Sequence, residues 1–296
     1  MRQVLEKVLD HAPGVRKRLV IALAAAAPLA ALAAAAPALA VSALKQEFAP
    51  FANCPVETAK LCMVATTTSG EFKLGLKTTK IVNPVVLQGG LASETFGDQS
   101  LLGAISGDTV SKTAQPIPGG ITGISEEIGG EVTATAELAG PVSSIIVNKG
   151  NLLAQTGTAV TLPIKVKLDN ELLGPNCYIG SDAEPIVLHL TTGTTSPSLP
   201  NQPISGSRGT LEGAGKGKIV KVKGNSLVDN NFAVPGANGC GENPLFDLLV
   251  DAGVGIPAPA GLNTAIMNGE LEETAAVWAA KYKPKVKKPK KEKPKK

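Results

Sequence analysis

The sequence predicts a mainly β fold: an antiparallel β-sandwich or irregular β-barrel with one or two short C-terminal helices. Apolar and polar residues alternate over several short stretches, the period of half-buried antiparallel strands. Aromatics make up 3% of the chain while Gly (32) and Pro (22) are plentiful, which suits short strands joined by many turns. Helical patterning is scarce: a turn at Gln99–Ile105 and short segments in the C-terminal part.

The elements follow in order. Val41 to Ala52 is a short lead-in whose Phe48 and Phe51 sit next to Cys54. Phe72, Leu74 and Leu76 alternate with Glu71, Lys73, Gly75 and Lys77, and the pattern resumes over Thr79–Leu87, where Pro84 marks an edge or bulge. Residues 89–125 read as a long Gly/Ser/Thr-rich excursion with a helical turn at Gln99–Ile105 and a breaker at Gln115–Gly120. Val132, Ala134, Ala136 and Leu138 then face one way, opposite Glu131, Thr133, Thr135 and Glu137. Ile145 and Val147 form a short strand ending at Asn148-Lys149-Gly150.

The clearest strand is Val160, Leu162, Ile164, Val166 and Leu168 against Thr161, Pro163, Lys165 and Lys167, with Pro163 again suggesting an edge or bulge. Ile186, Leu188 and Leu190 make another, followed by a loop to Ser207. Lys218–Lys223 is short and lysine-flanked, the device by which edge strands avoid pairing. Asn243 as cap, Pro244 at the first position and Gly253 as stop predict a two-turn helix over Leu245–Gly253. Leu262–Ala280 admits a helix capped by Asn268, or a strand over Thr264–Glu272 with a short helical end near Trp278; the second is preferred.

Residues 1–40 read as a secretory signal peptide. Arg16-Lys17-Arg18 precede the apolar run Leu19–Ala40, which ends in the small-x-small pattern Ala38-Leu39-Ala40. Cleavage is expected after Ala40, with Ala43 as a second choice; the alternative is an uncleaved N-terminal membrane anchor. The remaining 256 residues suffice for one large β domain or two small ones, and we take residues 41–280 as one β-rich exported domain. Four cysteines, Cys54, Cys62, Cys177 and Cys240, all lie beyond the leader. An even count in an oxidising compartment implies two disulfides. Cys54–Cys62 with Cys177–Cys240 is the simplest of three pairings, worth about 2.6 and about 4.3 kcal/mol by loop entropy. A four-cysteine metal site lacks both CxxC spacing and supporting histidines.

No catalytic constellation stands out. Past the leader the one histidine is His189, on the face of its strand opposite Ile186, Leu188 and Leu190, without visible partners. Gly123-Ile124-Ser125-Glu126-Glu127 misses G-x-S-x-G at its last position. The carboxylates Glu126, Glu127, Glu131, Glu137, Glu272 and Glu273 are available for glycoside hydrolysis, but acidic residues on outer strand faces are ordinary. Gly209–Gly217 fails Walker spacing and reads as a flexible turn. Asp169-Asn170-Glu171 and Asp229-Asn230-Asn231 are turn chemistry before they are calcium ligands. Nine aromatics leave little for stacking on sugars or nucleic acid. No cofactor and no specific nucleic acid is expected.

Charge is concentrated at the C-terminus. Lys281, Lys283, Lys285, Lys287, Lys288, Lys290, Lys291, Lys293, Lys295 and Lys296 share the last segment with one glutamate, and the first forty residues carry a net +3. Of the total of +4, residues 41–280 therefore hold −8. A Lys/Pro tail over 281–296 is expected to be disordered and suits an anionic wall polymer or membrane surface, at about 1 kcal/mol per lysine. These features predict a non-enzymatic exported protein associated with the cell envelope. A β module binding a small molecule or lipid between its sheets is the alternative, and a carboxylate-dependent hydrolase a second one. The alanine-rich leader, the run Phe48–Pro55, Gly70–Gly75, Ile81-Val82-Asn83-Pro84 and Leu87-Gln88-Gly89-Gly90 resemble uncharacterised secreted proteins of actinobacteria, mainly over residues 41–91. That resemblance implies an exported, envelope-associated protein and no activity.

Overall fold

The computed structural model describes residues 43–121 and 131–282, within the compact unit Val41–Lys296. The leader, the Gly123–Glu127 near-motif and tail residues 283–296 lie outside the described residues. Among the described residues, fourteen antiparallel strands carry the body. In the first sheet, β11 (Thr210–Ala214) is followed by β12 (Ile219–Asp229), β14 (Thr264–Ala275), β1 (Leu61–Leu74) and β3 (Val85–Leu91), and β2 (Lys77–Lys80) pairs with the far half of β1. β4 (Asp98–Gly103) turns the corner. Its Leu101–Gly103 pair with β3 and its Asp98–Ser100 pair with β7 (Ile146–Asn148). The second sheet continues through β8 (Val160–Asp169), β6 (Thr133–Leu138) and β5 (Gln115–Pro116). β10 (Ile186–Leu190) and β9 (Tyr178–Ile179) also pair with β8, and β13 (Ala237–Asn238) with β9. On the other margin Thr191 and Val228 exchange backbone hydrogen bonds of 2.9 Å. One bridged residue pair is not a ladder, so the sheet packs on itself as a sandwich and does not close as a barrel.

β8 is the axis of the second sheet because its alternation is the strongest in the chain. Val160, Leu162, Ile164, Val166 and Leu168 are all buried, each stabilising the fold by about 1.5–3 kcal/mol relative to exposure. The expectation of an edge or bulge at Pro163 is corrected, for β8 has partners on both sides. The Pro163 carbonyl accepts from Ala139 N–H at 3.1 Å, so its nitrogen faces the same margin. There β7, paired as far as Thr161, gives way to β6, paired from Ile164. A missing N–H costs nothing at that gap.

Three other expectations are corrected. Gln99–Ile105 is strand and coil, not a helical turn: Leu101 is buried, Ile105 is 60% exposed, and the backbone is committed to β3 and β7. Lys218–Lys223 is not an edge strand, since β12 lies between β11 and β14. Its lysines find partners on both neighbours, Lys221 with Glu272 and Lys223 with Glu212 at 2.8 Å. The edge is β11, within the glycine-rich stretch read as a turn. β1 also begins ten residues before the expected alternation and runs the length of β14. Gly70, at φ 135°, and Gly269 mark where these strands approach so closely that a Cβ would collide with the carbonyls of Ile266 and Thr66.

The first sheet is covered on both faces. One meets the main core. The other carries a smaller cluster of Phe48, Phe51, Val64, Ile219, Ala276 and Ala279, joined by Trp278 and Tyr282. This cluster packs the Cys54–Cys62 disulfide under a helical turn at residues 43–47 and the 3-10 segment Ala49–Asn53. α1 (Lys149–Ala154) is capped by Asn148, whose side chain accepts from Asn151 N–H at 2.8 Å; the sequence reading had no helix there. α2 (Leu245–Val254) starts where Asn243 Oδ1 accepts from Leu245 N–H at 3.0 Å. It runs past Gly253 and stops at Gly255, φ 76°. Thr264–Ala275 is strand, followed by α3 (Ala276–Tyr282), as preferred above.

Candidate ligand-binding cavity

The inward faces of the two sheets do not fill the space between them. Large side chains line the walls, but several inward positions carry small ones, among them Ala65 and Thr67 on β1 and Ala134 and Ala136 on β6. What remains is a pair of adjacent chambers of about 90 Å³ and about 250 Å³. Val85, Val110, Leu162 and Met267 line both and form their shared wall. A dry apolar cavity of about 150 Å³ already takes up benzene, so the larger chamber is of ligand size.

The smaller chamber is almost wholly apolar. At its margin Gln115 spends its amide on the backbone: Oε1 accepts from Val82 and Asn83 N–H, both at 2.9 Å, and Nε2 donates to Asn83 O at 2.8 Å. The larger chamber opens beside the edge strand β11. Phe96, Leu211 and Val220 stand at its mouth at 58%, 53% and 49% exposure. Between them lies one ion pair, Lys149 Nζ to Glu273 Oε1 at 3.4 Å, with the ammonium 5.3 Å from the Phe96 ring centre. Both side chains are mostly buried, at 13% and 23% exposure. Burial pushes the Glu273 carboxyl above its ordinary range, the attraction and hydrogen bond of Lys149 pull it back, and Glu94 adds to the rise.

The residues singled out in the sequence fall elsewhere. Cys54–Cys62 and Cys177–Cys240 are the two disulfides, the second tying the segment after β8 to the approach to α2, where Cys240 N–H donates to Asp247 at 2.8 Å. Such bonds fit an oxidising, extracytoplasmic compartment. His189 lies on the outer face of β10 in a shallow polar groove with Thr191, Ser196 and Asp229. Asp229 does not serve its imidazole; it accepts the backbone N–H of His189 at 2.7 Å and of Asn231 at 2.9 Å. Likewise Asn170 Oδ1 accepts Leu172 N–H at 2.9 Å. The bonds to Asn231 and Leu172 are local turn bonds, as the sequence suggested, whereas the bond to His189 joins β12 to β10.

Glu272 and Glu273 project from opposite faces of β14, Glu272 to Lys221 and Glu273 into the mouth, so the adjacent pair cannot flank one bond. Glu137 meets Lys112 at 3.6 Å. Among the described residues no group of three metal-ligating side chains occurs, and no helix is long and apolar enough to cross a membrane. Of the tail lysines only Lys281 is described. It belongs to α3, 5.8 Å from the Trp278 ring centre and 5.3 Å from that of Tyr282.

Sequence reasoning missed the mouth itself. Phe96 fell in the excursion, Lys149 in a strand end, and Glu273 was taken with its neighbour. The signal that existed was the run of small residues at inward positions of otherwise well-patterned strands. No protein-family model, curated protein or solved structure matches the chain.

Proposed function

We propose that this protein is an exported, non-enzymatic binding module that holds an apolar or amphipathic small molecule between its sheets. The observation that carries this reading is the larger chamber, about 250 Å³ behind an apolar mouth with a single ion pair. Scaled from benzene in about 150 Å³, the two chambers accommodate on the order of ten to fifteen carbons. Burying ten to fifteen of them contributes roughly 8–12 kcal/mol, of which association costs at least about 4, so an affinity between about millimolar for the shorter tail and about micromolar at best for the longer is expected. Isothermal titration with decanol tests this. Saturable one-to-one binding abolished by Leu162→Trp, which blocks the shared wall, supports it; no saturable binding overturns it.

Export through a signal peptide cleaved after Ala40, and retention at the envelope by the lysine tail, belong to the same proposal. Tyr282 packs on Phe48 at 5.1 Å between ring centres, so the tail deletion should begin at Lys283 and spare α3. Retention on an anionic wall polymer or membrane surface should then fall and lose its salt dependence. Unchanged fractionation would remove the tail from the account, and an N-terminus other than Val41 on the mature protein would remove the cleavage site.

A further inference from the structure

The charged groups at the mouth say more about the ligand than the cavity walls do, on the premise that the cavity is a binding site. Lys149 and Glu273 are both mostly buried and lie 3.4 Å apart in an apolar wall. Their charges cancel. Lys149 presents three N–H groups, of which the one hydrogen bond among the described residues goes to Glu273. A head group entering here meets unused donors beside a carboxylate acceptor, close to the Phe96 ring.

The geometry points to a ligand whose apolar tail fills the chambers and whose single polar head is uncharged, a hydroxyl or ester carbonyl held between Lys149 and Glu273. An anionic head reaches the unused ammonium donors only by adding a further negative charge beside Glu273, while Glu94 stands near enough to act on Glu273. The local balance of Lys149 against Glu273 and Glu94 then disfavours it. A cationic head would have to displace Lys149 from both Glu273 and the face of Phe96. Either leaves a mostly buried charge without a counter-ion of its own, and an uncompensated charge in such a site is strongly unfavourable. A hydroxyl breaks nothing: it accepts from the ammonium, donates to the carboxylate and leaves the pair in place. The elevated carboxyl of Glu273 works in the same direction, because a further anion beside it would raise it again.

The test compares three probes with the same ten-carbon tail: decanol, decanoate and decyltrimethylammonium. At neutral pH each is titrated, decanol below its solubility limit and the charged probes below their micellar concentrations, into the native protein and into the doubly neutral variant Lys149→Met, Glu273→Gln. Decanol should bind the native protein at least about tenfold more tightly than either charged probe, a gap of about 1.4 kcal/mol or more. The double variant should narrow that gap by at least several-fold. Decanoate or decyltrimethylammonium binding the native protein as well as decanol overturns the inference while leaving the cavity reading intact. A gap that is undiminished in the double variant also overturns it. If no probe binds either protein, the binding reading and this inference fall together.

Discussion

Ala136→Leu separates an unfilled chamber from a packed core. Ala136 sits on β6, opposite Val166 of β8, and faces the smaller chamber. Leucine adds three carbons there, which at about 0.8 kcal/mol per buried methylene gives about 2.4 kcal/mol. Filling a void of about 90 Å³ at about 24 cal/mol per Å³ gives about 2.2 kcal/mol. The two routes agree. Freezing the leucine rotamers costs about 0.5–1 kcal/mol, leaving a net gain of about 1–2 kcal/mol. For a domain of this size that is a rise in Tm of about 3–6 °C, read by calorimetry or urea unfolding of the ligand-free protein. In a core already packed to native density, the same substitution costs about 1–3 kcal/mol. A fall in stability of that size would refute the chamber, and with it the volume reasoning on which the binding site rests.

Other outcomes follow from the same contacts. Burial raises the Glu273 carboxyl in the folded state, so its stabilising contribution is complete below the unfolded value and is lost as pH rises through the folded one. Glu273→Gln does not suffer that loss. The variant should therefore gain stability relative to the native protein as pH rises from about 4 to about 8 in urea titrations; a growing deficit over that range would show that the ion pair outweighs burial. The disulfides should be unequal. Replacing Cys177 and Cys240 by serine opens a loop with a sequence separation of 63 and should cost about 4.3 kcal/mol; replacing Cys54 and Cys62, separated by 8, should cost about 2.6. A larger loss from the short loop would assign the smaller cluster around Phe48 and Phe51 a stabilising role beyond chain entropy.

The sequence carries the strands whose apolar and polar residues alternate without a break and hides those whose alternation is interrupted. β8 and β10 alternate because each inward position is filled against the core, and the disulfide pairing follows from proximity along the chain. The first half of β1 escaped because Ala65 and Thr67 line a void, so the strand presents small and polar residues where a packed strand would show leucine or valine. β11 escaped for a related reason: its one large side chain, Leu211, stands half in solvent at the mouth. Pro163 misled because sequence shows the missing donor but not which margin it faces. The site was the least legible part, since a cavity is an absence of side-chain volume. Lys149 and Glu273, the pair that marks its mouth, are separated by 124 positions and meet only when β14 and α1 are brought together.

Methyl-resolved NMR titration of the purified protein with decanol tests the central claim most directly, because it reports where the tail goes. The account predicts saturable shifts, and contacts to the decanol chain, at methyl groups of Leu162, Met267, Val85 and Leu271, which line the chambers. Leu245, Leu248 and Leu249, the exposed leucines of α2, should stay still. Shifts confined to those surface leucines, with the chamber methyls unmoved, would contradict it.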